Sequence, residues 1–158
     1  MGTVSFVVPG EPKGKARPRA AIMGKGKKQM VRMYTPKDTT NYENKVALMY
    51  RAKALNSPIV PKGVNVTASI EAVFVMPKST SQKKRNKMVG TPCLKAPDGD
   101  NIAKAVLDAL NKVAFHDDSQ VGELTVRKTW GDRSYVEVFL EWDTFEMAEA
   151  LAKAGTYE

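Results

Sequence analysis

The chain has one cysteine, Cys93, and one histidine, His116, among its 158 residues. A single thiol cannot close an intrachain disulfide, and one residue of each type cannot build a Cys/His zinc cage within a subunit. Cys93 reads as a buried thiol. Long apolar runs are missing as well, since nothing approaches the roughly 20 consecutive apolar residues that a membrane-spanning helix needs. The amino terminus, Met1 to Pro9, has a short apolar stretch but no basic flank of the kind a secretory signal carries, so a cytoplasmic location is expected. Acidic residues are in deficit, 17 against 25 Lys and Arg, which leaves a formal charge of +8 and a pI near 9.6. A surface of that sign attracts polyanions, with nucleic acid as the leading partner. The hydrophobic fraction of 42% is ordinary, and a chain of this length buries one core, so residues 1–158 are expected to form a single domain.

Val4 to Val8 reads as a largely buried strand that Pro9-Gly10 stops. From about residue 10 to 30 the chain is rich in Gly, Pro and basic residues, among them Lys13, Lys15, Arg17 and Arg19, and is expected to be a mobile basic loop or arm. Met30 to Tyr34 reads as a short strand returning from it. Thr40 and Glu43 have capping-box spacing, and Tyr42, Val46, Met49 and Tyr50 recur at helical intervals to about Ala54. Val64 to Met76 alternates as a half-buried strand does. Ser79 to Lys87, with Lys83, Lys84 and Arg85, is a polar basic segment with room for a helical turn. Asn101 to Val113 predicts a second helix, with Ile102, Val106, Leu110 and Val113 on one stripe. Leu124 to Trp130 and Ser134 to Trp142 alternate around Gly131-Asp132-Arg133, which suggests a hairpin. A third helix is expected from about Thr144 to Lys153. Together these predict an α+β domain with one mixed β-sheet covered by helices.

The segment from about residue 95 to 121 gathers the chemistry. Asp98 and Asp100 flank Gly99, Lys104 follows one helical turn later, and His116-Asp117-Asp118 comes after the helix. Two carboxylates about 4 Å apart repel by roughly 4 kcal/mol at an effective dielectric near 20, a cost that a shared divalent cation removes. Hard cations take such oxygens, with water and substrate phosphate completing the shell. In a basic chain this layout points to metal-assisted cutting of a phosphodiester. Pro97 biases Ala96 toward an extended backbone, and Gly99 permits a tight turn that would aim both carboxylates at one point. Each residue also has a plainer account. Asp100 could be a helix N-cap, Lys104 could pair with Asp100 along the helix, and Asp117 and Asp118 could be turn residues.

Pro97-Asp98-x-Asp100-Asn101-x-x-Lys104-x-x-x-Asp108-x-Leu110-Asn111, followed by Asp117-Asp118-x-Gln120-Val121 and a basic strand ending in Lys128, resembles the RusA-type Holliday junction resolvases. The upstream run from Gly10 to Arg19 and Tyr34-Thr35-Pro36-Lys37 resemble that family's basic amino-terminal region. The family is bacterial and often prophage-encoded. The resemblance implies a RusA-like fold, a homodimer, and Mg2+-dependent cutting, with Mn2+ as a second candidate, of two symmetry-related strands of a four-way junction in DNA recombination and repair. It places metal-binding aspartates at Asp98, Asp100 and Asp118, with Asp117 beside them, and a catalytic lysine at Lys104. Lys13, Lys15, Arg17, Arg19, Lys83, Lys84, Arg85 and Lys128 are the candidates for contact with DNA phosphates. The same cation chemistry would also cut forks, flaps or other branched DNA, and a non-catalytic junction-binding protein is the rival from another class.

Overall fold

The computed structural model of the protein describes residues 1–155. In chain order these form β1 (Gly2–Pro9), β2 (Arg19–Met23), β3 (Met30–Tyr34), α1 (Lys37–Ala54), β4 (Val66–Val75), α2 (Gln82–Met88), α3 (Gly99–Leu110), β5 (Val121–Gly131), β6 (Tyr135–Trp142) and α4 (Thr144–Gly155). Short 3-10 turns lie at Gly26–Lys28 and Asp118–Gln120. Four strands make a mixed sheet in the spatial order β1, β6, β4, β5. β6 runs antiparallel to both of its neighbours, β1 and β4, and β5 runs parallel to β4.

That order corrects the expected hairpin. β5 and β6 follow one another in sequence, but β4 lies between them and pairs with both. Asp132 to Ser134 carries the chain past the end of β4, where Met76 N donates to Gly131 O at 3.1 Å and Val75 N to Ser134 Oγ at 2.9 Å. Alternation sets which side of a strand is buried. It says nothing about which strand lies alongside.

Helices α1 and α3 pack on one face of the sheet, against Val4, Phe6 and Val8 of β1 and Ala68, Ile70, Ala72 and Phe74 of β4. Phe6 meets Tyr50 of α1 edge to face, with ring centroids 5.7 Å apart. The opposite face carries Ser5, Thr125, Arg127 and Glu137 toward solvent. β1 is therefore half-buried, with Val7 41% exposed, because it is an edge strand with helices on one side only.

Other boundaries shift for local reasons. α1 starts at Lys37, after Pro36, which stands at the N-cap with a non-helical ψ of 143°. The Thr40–Glu43 box is not formed, and Glu43 serves a different partner. α3 ends at Leu110, short of Val113, because Lys112 takes a left-handed φ of 60°, which an α-helix cannot continue. The basic arm contains a strand that had not been expected: β2 pairs antiparallel with β3 as a separate two-stranded ribbon, register Arg19 with Tyr34 to Met23 with Met30. No helix among the described residues is long and apolar enough to cross a membrane.

Candidate active site

Asp98 occupies the N-cap position of α3, with φ −67° and ψ 151°, and its side chain bonds no backbone amide. Asp100 stands in the first helical turn, where negative charge is favoured by the exposed amides and the helix dipole. The cap position therefore falls two residues earlier than Asp100. None of the ion pairs among the described residues involves either carboxylate. Both open on one cleft of about 700 Å3 whose other walls include Leu94, Leu124, Val126 and Lys128. Gly99 begins the helix without a left-handed backbone, and a Cβ there would lie 3.6 Å from Val126 Cγ1. That is ordinary contact, so crowding does not require glycine here, and the tight turn expected of it is absent. Lys128 donates to Lys95 O at 2.6 Å and lies 5.6 Å from the Phe74 ring centroid. Its ammonium thus steadies the chain leading into Asp98.

Lys104 turns away from Asp100 and toward its carboxyl-terminal side. Its ammonium is 3.0 Å from Asp108 Oδ1 and 3.6 Å from Asp118 Oδ2. The hydrogen bond and charge of Asp108, with help from Asp118, hold its pKa above the ordinary lysine value, so it is cationic at neutral pH. Asp118 opens the 3-10 turn that packs against α3. Gln120 anchors that turn, donating to Pro61 O at 2.7 Å and Val64 O at 3.2 Å.

Asp117 looks elsewhere. It closes a capping box with Gln120, and its carboxylate accepts from the Ser119 hydroxyl, which holds its pKa below the usual carboxylate range. It borders a different depression, with Lys62, Lys112 and His116.

The basic candidates divide into two groups. Lys15 is mostly enclosed and forms ion pairs with Glu43 and, at 3.2 Å, with Asp108. Burial alone would lower its pKa, but these two carboxylates outweigh it and the net shift is upward. Its backbone amide donates to Asn101 O at 3.0 Å, so this part of the arm is docked on the head of α3. Arg85 bonds the carbonyls of Thr80 and Pro77 at 3.0 and 2.9 Å and closes its own loop. Lys13, Arg17, Arg19, Lys83 and Lys84 are exposed and outside every ion pair among the described residues.

Among the described residues no three Asp, Glu, His or Cys side chains converge as a metal cage. The structure thus brings Asp118 to Lys104 and leaves Asp98 and Asp100 as a separate pair. That pair fits a Mg2+-type ion on donor chemistry, because such ions are commonly bound through one or two carboxylates plus water and substrate phosphate. Asp108 had no expected role, and Glu43 was expected only as a helix-capping residue. Asp108 was detectable as the residue four after Lys104, whereas nothing local marks Glu43.

Two comparisons show what the chain is similar to. A family model described as Endodeoxyribonuclease RusA matches residues 9–141. The chain is also 35% identical over 144 residues to the uncharacterized protein YqaN of Bacillus subtilis (strain 168), covering 89% of this chain and 96% of that protein.

Proposed function

The chain belongs to the RusA endodeoxyribonuclease family, and from that premise we propose that it is a Mg2+-dependent, structure-specific endodeoxyribonuclease that resolves four-way DNA junctions by paired, symmetric nicks. The observation that carries this reading is one helix presenting two carboxylates without ion-pair partners at its head and, one turn on, an ammonium held between Asp108 and Asp118. Asp98 and Asp100 would hold Mg2+, and Mn2+ would suit the same oxygens. A divalent cation bound there supplies Lewis-acid polarisation of the phosphate.

The remaining work falls to the chain's own groups. Lys104 has three ammonium protons, one of them directed at Asp108, while Asp118 lies farther off at 3.6 Å. Another can meet a phosphate oxygen and stabilise the negative charge that grows there in the transition state. Lys13, Arg17, Arg19, Lys83 and Lys84 hold flanking phosphates in a sequence-independent way. Two cuts across a junction need two sites in a fixed relation, which a homodimer supplies by symmetry.

The test compares a four-way junction, a fork and a linear duplex, each with and without Mg2+. Symmetric nicking of the junction alone, dependent on the ion, is expected. Preference for the fork would move the protein to another branched substrate, and binding without cutting would make it a junction-binding protein. Asp98→Asn is expected to stop cutting while keeping or raising junction affinity.

A further inference from the structure

The reading above uses Asp108 only as one neighbour of Lys104, yet the charged groups around α3 converge on it. Its Oδ1 accepts from Lys104 at 3.0 Å and its Oδ2 from Lys15 at 3.2 Å. Lys15 is bonded in turn to Glu43 of α1. The Lys104 side chain is 57% exposed, against 18%, 22% and 20% for Asp108, Lys15 and Glu43. Three shielded groups therefore back one open ammonium.

We propose that Asp108 is a positioning residue of the nuclease site, holding the Lys104 ammonium where a phosphate must meet it, with Lys15 and Glu43 fixing Asp108 in turn. This rests on the nuclease reading above. The physical need is plain: lysine ends a flexible four-carbon stem, and an unanchored ammonium spreads over many rotamers. Asp108 takes one proton and fixes the direction of the other two.

Charge counting shows which partner yields to substrate. Lys15 and Lys104 face Glu43, Asp108 and Asp118, two positive groups against three negative. An approaching phosphate adds more negative charge, so one carboxylate must give up the ammonium. Asp118, at 3.6 Å, holds it more loosely than Asp108 at 3.0 Å. Phosphate enters on the Asp118 side while Asp108 keeps its grip.

The experiment measures single-turnover cleavage of a four-way junction, junction affinity, and the rate at which an amine-reactive acylating reagent labels Lys104, read by peptide mass spectrometry. Asp108→Asn is expected to slow cleavage by roughly tenfold or more, the scale on which misplacing a reacting group acts, with affinity within about twofold of wild type. Lys104 labelling should rise several-fold. Lys15→Gln, which keeps Asp108 and removes its anchor, is expected to give a smaller change in the same direction, and it carries the test if Asp108→Asn does not fold. In a Lys104→Gln background Asp108→Asn should change cleavage by less than about twofold, because residues acting through one group are non-additive. Unchanged labelling, or an undiminished Asp108→Asn loss without Lys104, overturns the proposal and leaves a purely structural ion pair. If wild type cuts no branched DNA, the nuclease reading falls, and the labelling rates still judge Asp108 separately.

Discussion

Gly14→Ala is expected to damage the protein more than Gly99→Ala, although Gly99 stands between the two acidic residues at the head of α3. A Cβ at residue 14 would lie 2.9 Å from Pro97 Cβ and 3.1 Å from Asn101 Cβ, well inside the roughly 3.5–4.0 Å at which carbon atoms attract. Both neighbours are ring or first-turn atoms that cannot swing away. Relief means lifting the arm off the helix, at about 1–3 kcal/mol for overpacking. The bond from Lys15 N to Asn101 O, 3.0 Å long, would loosen and add about 0.5–1.5 kcal/mol. At about 2–4 °C per kcal/mol for a domain of this length, the melting temperature should drop by roughly 3–18 °C. At residue 99 the added carbon meets Val126 at 3.6 Å and Lys128 at 3.9 Å, which are ordinary contacts. Ala is favoured over Gly in a helix by about 0.5–1 kcal/mol, so Gly99→Ala should melt at or up to about 2 °C above wild type. Thermal melts of the two variants side by side decide the matter. If Gly99→Ala is the more damaging of the two, the docking of the arm on α3 is wrong.

Tyr42 supplies a pH prediction. Its hydroxyl is buried without a hydrogen-bond partner, the backbone of Lys13 facing it without completing a bond. Burial pushes its pKa up to about 12, from 10.0 when exposed. The folded state therefore holds the proton more tightly, and this contribution is complete below pH 10 and lost as pH climbs toward 12. It amounts to about 2–3 kcal/mol at about 1.4 kcal/mol per unit. Tyr42→Phe should lose less stability than wild type over that interval in denaturant titrations and be no less stable at pH 7; parallel curves would refute it. Lys84→Gln should reduce the salt slope of junction binding by about 0.9, whereas Arg85→Gln should leave the slope alone and cost about 0.5–1.5 kcal/mol through the loss of its bonds to two loop carbonyls. The reverse assignment in filter-binding and melting data would exchange their roles. Asp118→Asn should change cutting more than Asp117→Asn, which should alter it by less than about threefold, because of these two carboxylates only Asp118 lies against Lys104. Equal losses in a single-turnover assay would contradict the placement of the turn.

What was legible in the sequence is what depends on near neighbours. The period-two burial of β4 and the helical spacing of Tyr42, Val46 and Tyr50 are local patterns, and both stand in the fold. β2 escaped notice because none of its residues is buried, so it carries no alternation to detect. The order of β5, β4 and β6 escaped because one strand's pattern fits any neighbour that covers the same face. In the site, Asp98, Asp100 and Lys104 lie on one helix and its cap, and their grouping follows from spacing. Lys13 and Lys15 are two residues apart and alike in sequence, yet one meets solvent and the other Glu43 and Asp108. That distinction comes from α1 and α3, elements the arm reaches only after folding.

The pairing of charges carries a further consequence. In a chain with 25 basic and 17 acidic residues, a carboxylate has ample choice of partner, and Glu43 and Asp118 each take one and Asp108 two. Asp98 and Asp100 do not, although Lys95 is three residues from Asp98 and Lys128 borders the same cleft. Those two ammoniums are engaged by Glu11 and by the carbonyl of Lys95, so they stabilise the approach to the acidic pair without neutralising it. Two adjacent negative groups at a helix start are tolerable because the first-turn amides favour them. They remain the place in this positively charged body where an added cation gains most.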